Sequence, residues 1–292
     1  MGTDMNAAAS VPLVDIQNLV DSRDIAIDKV GVRRVKHPLH VRAREGGVQH
    51  SVGEFSLTVD LPREFKGTHM SRFLEVLGER AHDVSAETIP AILAELRTRL
   101  NARTAHLEVR FTLFREKAAP VTGKTGMMGY EVGFDAQGGD GQGGVDGASD
   151  RFLLNLVVPV ATLCPCSREI SAYGAHNQRG YVTVQVEPDP AYNGGFLWLE
   201  DVIDLIEAAG SAPLFPVLKR PDEKWVTERA YDTPRFVEDL VREVALAFDA
   251  HPGIRAYTIE VENHESIHDH NAYAYLARTK GSTGGTVERE TL

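Results

Sequence analysis

The chain is poor in cysteine, in long apolar runs and in positive charge, and each shortage excludes a class of protein. Its 2 cysteines flank a single proline, so they are badly placed to staple a fold through disulfides. No apolar run reaches the roughly 18 residues that suggest a transmembrane helix. The formal net charge of −11 argues against general nucleic-acid binding, which needs a basic surface. We therefore expect a reduced, cytoplasmic protein with no nucleic-acid and no membrane partner.

The two ends of the chain and its middle carry little hydrophobic pattern. Residues 1–29 lack the basic flank and apolar core of a secretory signal, and we expect a flexible arm. Residues 280–292 are rich in Gly, Thr and Glu, which predicts a disordered tail. Residues 137–150 form a glycine-rich loop, but no Lys-Ser or Lys-Thr follows as a phosphate-binding loop requires. A hairpin tip or linker is the better interpretation of that loop.

Between these segments, one order of elements occurs twice, as β-β-α-α-β-β. The repeat predicts an α+β fold of two modules, residues 30–136 and 151–279, each an antiparallel sheet with a helix pair on one face. The predicted strands are residues 30–42, 49–62, 106–115, 129–135, 152–163, 180–187, 255–262 and 271–277. The predicted helices are residues 70–82, 85–100, 200–209 and a last one beginning at Pro234.

The densest group of reactive side chains follows the buried strand 152–163. Cys164, Cys166 and His176 combine thiols with an imidazole, the ligands that a borderline-soft divalent metal prefers. If this segment is extended, both thiols point to one side, and the adjacent Arg168 favours the thiolate. His176 could bind the metal or transfer a proton. The alternative is a pair of small buried cysteines beside a surface histidine.

A second group of ligands lies near the end of the chain, in residues 262–270. Glu265 and His268 would share a face if this stretch forms a helical turn, and His268 and His270 would do so if it is extended. A solvated histidine-rich loop is the alternative.

Charged residues near positions 218–223 and 238 form a third group. Lys219 and Arg220 suit a phosphate, and Asp222 or Glu223 suits a metal, although an exposed charged turn would look the same. Glu238, among the apolar residues of the last predicted helix, could accept a pair of N–H bonds through its two oxygens, although a solvated helix carboxylate is the alternative.

Three stretches together resemble one known family. CPCSREISAYGAHNQRG at the first cluster, GTHMSRF at residues 67–73 and ENHESIHDHNA at residues 262–272 are similar to the signature of the prokaryotic type IB GTP cyclohydrolases. The resemblance implies a tandem tunnelling fold, whose barrel is closed by oligomerisation. It also implies a homo-oligomer, expected to be a tetramer, with active sites between subunits.

The resemblance, taken together with the charged and polar residues described above, gives expected roles for individual residues. A Zn, Mn or Fe ion would be held by five side chains, Cys164, His176, Glu223, Glu265 and His268. Cys166 would be a neighbouring or reacting thiol, and the two cysteines could exchange these roles. Substrate GTP would be bound through its guanine by Glu238 and elsewhere by Gln178, Arg179, Lys219, Arg220, His69 and Arg72.

The implied reaction is hydrolysis of GTP to 7,8-dihydroneopterin triphosphate and formate. One alternative is an NADPH-dependent nitrile reductase of the same fold, which would use a cysteine nucleophile on a 7-deazaguanine and need no metal. The surplus of metal ligands in residues 262–270 argues against it. A non-catalytic metal-binding protein is the other alternative.

Overall fold

Within the described residues, one antiparallel sheet of nine strands carries the structure, and four of the helices pack their buried side chains against one of its faces. The computed structural model describes residues 15–281 except 18, 81–83, 86 and 140–149. The strands are β1 (Ile27–Arg42), β2 (Val48–Leu61), β3 (Ala105–Ala118), β4 (Thr125–Gly138), β5 (Arg151–Leu163), β6 (Asn177–Pro188), β7 (Ala212–Pro213), β8 (Ile254–His264) and β9 (Ala272–Thr279). The helices are α1 (Met70–Arg80), α2 (Ile89–Leu100), α3 (Pro165–Ile170), α4 (Leu199–Ala209), α5 (Arg220–Asp232) and α6 (Val237–Ala250).

Alternating apolar residues build this sheet and its core. Phe55, Leu57 and Val59 of β2 point under the helices and are almost fully buried, while the residues between them face the other side. The α+β fold of two tandem modules is confirmed. The two sheets are continuous, because β4 pairs with β5 from Glu131↔Val157 to Gln137↔Arg151.

Within the described residues, two helices were not predicted and two begin later than expected, one of them α2, which begins at Ile89 rather than at Ser85. The helix predicted from Pro234 begins at Val237, since the Asp239 carboxylate accepts the Phe236 N–H at 3.0 Å and caps it there. Helix α5 was missed because its sequence has no apolar stripe, so its only buried residues are Asp222 and Ala230.

A buried charge network joins the two modules. Lys117 of β3 donates to both carboxylate oxygens of Glu207 in α4, at 2.6 Å each, and Tyr130 of β4 donates to one of them at 2.7 Å. Burial lowers the pKa of Lys117, and Glu207 offsets this only in part. Burial, together with Glu207, raises the pKa of Tyr130. The first module is therefore tied to α4 by paired charges as well as by the sheet.

The ends of the described chain bear on the predicted arm and tail. Residues 15–17, 19 and 20 lie against residues 65–69, where Gln17 donates to the Thr68 carbonyl at 2.9 Å. Of the predicted glycine-rich loop, residues 140–149 lie outside the described residues. Residues 1–14 and 18 of the predicted arm and residues 282–292 of the predicted tail lie outside them as well. None of the helices in the described ranges is long and apolar enough to cross a membrane.

Candidate active site

Three neighbouring strands of the second module bring the predicted site residues to one end of the sheet. β5 and β6 pair as far as Leu163↔Asn177, and β6 and β8 pair as far as Arg179↔His264. Cys164, His176 and Glu265 are each the next residue beyond these pairs. The topology thus places the backbones of a cysteine, a histidine and a glutamate from distant parts of the sequence at neighbouring strand ends.

The first cysteine caps a short helix. Cys164 follows the last residue of β5, and its sulfur accepts the Ser167 N–H at 3.4 Å where α3 begins. Cys166 lies within α3 and is exposed, whereas Cys164 is half-buried. The expectation that both thiols share a face required an extended segment, so it does not hold. Arg168 is also not directed at the thiols as supposed, since its guanidinium stacks 4.6 Å from the ring centre of Tyr231.

His176 stands between an amide and a carboxylate. Its Nδ1 lies 3.1 Å from Gln178 Oε1 and 3.9 Å from Glu265 Oε2. The side chains of His176 and Glu265 are only 16% and 12% exposed, so the two groups meet in a partly dehydrated setting. Because Oε1 of Gln178 can only accept, Nδ1 carries the proton in a neutral ring and Nε2 offers its lone pair.

Residues 262–264 of the second predicted cluster are the end of β8. Residues 265–270 form neither a helical turn nor a strand. His268 is exposed and stacks on His270 with ring centres 5.1 Å apart. Within the described ranges, no group of three or more His, Cys, Asp or Glu side chains is placed to hold a metal ion together. The structure therefore brings His176 and Glu265 together and leaves His268 in solvent.

The two acidic residues at the start of α5, Asp222 and Glu223, have different surroundings and therefore different roles. Asp222 is fully buried and accepts four hydrogen bonds, from Val121 N, Thr122 N, Thr122 Oγ1 and Lys219 N, at 2.7–2.9 Å. Burial alone would raise the pKa of its carboxyl, but these bonds outweigh it and hold the pKa well below its usual range. Asp222 is thus a structural cap, and Glu223, which is exposed, is the carboxylate left for a ligand.

The predicted substrate contacts are scattered over the surface. Lys219, Arg220 and Arg179 are exposed, and so is Glu238 in the first turn of α6, contrary to the expectation that it lies among inward-facing residues. In the first module, Arg72 donates to the Arg99 carbonyl at the end of α2, at 2.8 Å. His69 Nε2 lies 3.2 Å from Asp15 Oδ2.

Comparison with known proteins decides the family. Residues 13–274 match the family model described as type I GTP cyclohydrolase FolE2. The chain belongs to this family. It is 48% identical over 276 residues to the GTP cyclohydrolase FolE2 of Azoarcus sp. (strain BH72), covering 94% of this chain and 98% of that one. The FolE2 of Nitrosococcus oceani is 47% identical over 273 residues, with the same coverages.

A solved structure supports the fold. A uricase from Bacillus fastidious superposes with a TM-score of 0.52 over 87% of this chain and 93% of that one, at 8% identity. This likeness shows the tunnelling fold alone. The nitrile reductase alternative receives no support from these matches.

Sequence reasoning about this FolE2 family member missed a row of buried residues beneath the site. Thr162 and Asn263 are buried, and Thr162 Oγ1 and Asn263 Oδ1 have no hydrogen-bond partner among the described residues. A Cβ on Gly180 would lie 2.6 Å from Asn263 Oδ1, so only glycine admits that side chain. A glycine within an otherwise regular strand was the one available signal.

Proposed function

We propose that the chain is a GTP cyclohydrolase, which hydrolyses GTP at guanine C8 to give 7,8-dihydroneopterin triphosphate and formate. One observation carries the proposal: the FolE2 family match spans residues 13–274 and includes the thiol, imidazole and carboxylate at the strand ends. We also propose that the enzyme is located in the cytoplasm.

The donor set fits a divalent ion of borderline softness. Cys164, His176 and Glu265 offer sulfur, nitrogen and oxygen, and His268 and Glu223 would add an imidazole and a carboxylate. Zn, Mn or Fe bound there would supply Lewis-acid activation of the water that attacks C8.

His176 is oriented for this task by its neighbour. With Nδ1–H donating to Gln178, the Nε2 lone pair is free to bind a metal or to exchange a proton with the guanine ring. In this arrangement Gln178 supports His176, rather than holding substrate as expected from the sequence.

The remaining groups would bind the nucleotide. Lys219, Arg220 and Arg179 are exposed cations that suit a triphosphate, which reconciles an anionic substrate with a net charge of −11. His69 and Arg72 would add phosphate contacts. Glu238 would accept both N–H groups of the guanine edge through its two oxygens.

Removing one carboxylate oxygen tests that last role. Glu238→Gln is expected to lower kcat/KM for GTP about 10- to 150-fold, because one charge-assisted bond of roughly 1.5–3 kcal/mol is lost. The preference for GTP over inosine triphosphate, which lacks the 2-amino group, should shrink with it. Glu228→Gln on the exposed face of α5 is the matched control. An unchanged preference would refute the assignment.

The active form would be a homo-oligomer, expected to be a tetramer. Among the strands in the described ranges, β1 and β9 are the two edges of the sheet and each is paired on one side, so a second copy could close the barrel. Near the site, Ile170, Tyr173 and Ile267 are 84%, 95% and 61% exposed, which suits burial against another subunit.

Activity and metal content test the function together. The purified protein is analysed for bound metal and incubated with GTP and added zinc, manganese or iron, and the oxidised pterin product is followed by fluorescence. Pterin formation is expected with at least one metal. Its absence with all three would exclude the cyclohydrolase. NADPH oxidation with a nitrile substrate would instead support the nitrile reductase. Metal binding without either reaction would support a non-catalytic metal-binding protein.

A further inference from the structure

The ladder between β5 and β6 ends in an irregular pair, Cys164 and His176. Their last regular pair is Leu163↔Asn177. One step further, Cys164 N–H donates to the His176 carbonyl at 3.1 Å, as an antiparallel pair requires. A regular pair of this kind exchanges two bonds, so His176 N–H would donate to the Cys164 carbonyl. That second bond is replaced here.

The replacement arises because the chain turns into a helix at this position. The Cys164 carbonyl accepts the Arg168 N–H of α3 at 3.2 Å, so it no longer faces the neighbouring strand. The Ser167 hydroxyl fills the gap. It accepts His176 N–H at 3.2 Å and donates to the Cys164 carbonyl at 3.2 Å. One side chain thus carries the missing connection between the two strand ends.

We propose that Ser167 is a positioning residue, whose hydroxyl fixes Cys164 and His176 relative to each other so that their side chains can hold one metal ion. This inference rests on the proposed function for the identity of the site. A serine near the start of a helix commonly bonds a carbonyl within its own turn, and the bond to Cys164 alone would be of that kind. The bond to His176 spans nine residues and joins separate elements.

The hydroxyl and the main chain of Ser167 act on the same two residues. Its N–H donates to the Cys164 sulfur at 3.4 Å and so holds that sulfur at the start of α3. Its hydroxyl sets the strand end from which the His176 ring projects. Gln178 then fixes the ring from the other side. Loss of the hydroxyl should therefore loosen the ligands without removing either one.

The test compares three variants: Ser167→Ala, Ser167→Thr and, as the control, Ser171→Ala at the exposed end of α3. Zinc affinity is measured by competition with a chromophoric chelator, and kcat and KM are measured with GTP. Ser167→Ala should weaken zinc binding and lower kcat about 10- to 100-fold, the usual effect of losing a supporting partner. KM should change little, since Ser167 is not a proposed substrate contact. Ser167→Thr keeps the hydroxyl and should restore most of both.

Amide hydrogen exchange at His176 gives a readout without metal or turnover. The amide should exchange slowly in the wild-type and threonine proteins and faster in Ser167→Ala. If the wild type converts no GTP, the proposed function fails, while zinc affinity and exchange still decide the role of Ser167. Unchanged zinc affinity and exchange in Ser167→Ala would overturn the inference. A folded threonine variant as impaired as the alanine variant would also overturn it.

Discussion

Replacing Cys164 by alanine is expected to abolish metal binding together with GTP turnover, whereas Cys166→Ala should keep its metal. Cys164 is half-buried beside His176, while Cys166 is exposed on α3. The loss of a ligand should cost at least about 100-fold in turnover, the upper end of what a supporting partner costs. Metal content by elemental analysis and steady-state rates with GTP check both variants under identical conditions.

The design separates chemistry from folding. Cys164 also caps α3 through its sulfur, and losing a cap typically costs about 1 kcal/mol, which would not unfold the protein. Thermal melting of both variants without metal should therefore stay close to that of the wild type. Equal metal retention in the two variants would contradict the assignment of Cys164, and loss of metal from Cys166→Ala alone would reverse it.

Glu207→Ala should destabilise the protein by about 3–5 kcal/mol, the cost of leaving a buried charge without its partner. Lys117 and Glu207 are only 16% and 10% exposed, and the Tyr130 hydroxyl loses an acceptor in the same variant. The free energy of unfolding is measured by urea denaturation at one fixed protein concentration, because association would shift the apparent stability.

Two further variants sharpen this result. Glu228→Ala breaks an exposed pair with Lys224, and it should change stability by less than about 1 kcal/mol. Combining Lys117→Met with Glu207→Ala removes the stranded ammonium and should recover part of the loss. A Glu207→Ala variant no less stable than Glu228→Ala would show that the network does not tie the modules together.

The fold could be predicted because its strands alternate regularly and its main helices carry apolar stripes. The alternation that places Leu57 and Val59 on one face predicts a half-buried strand. Helix α5, in contrast, is so polar that its sequence pattern does not predict it. Family resemblance then supplied what the pattern could not, namely a prediction of which residues act together.

The geometry of the site was harder to predict from the sequence than the fold was. No spacing rule indicates that the Asp222 carboxylate would serve a turn about 100 residues earlier, or that Ser167 would bridge Cys164 and His176. Such bonds depend on how elements that are distant in the sequence pack against each other in the folded protein. The predicted sharing of a face by the two thiols failed for a similar reason, since it assumed that β5 continues where α3 begins.

The contacts of Asp222 have a consequence for how the polypeptide can be divided. Its carboxylate belongs to the second half, but three of its four donors, on Val121 and Thr122, belong to the first. A chain cut between residues 140 and 149 would deprive each fragment of groups that complete its own local structure. The two halves repeat one order of strands and helices. Each still depends on hydrogen bonds from the other, so neither could be exchanged for the other as an independent unit.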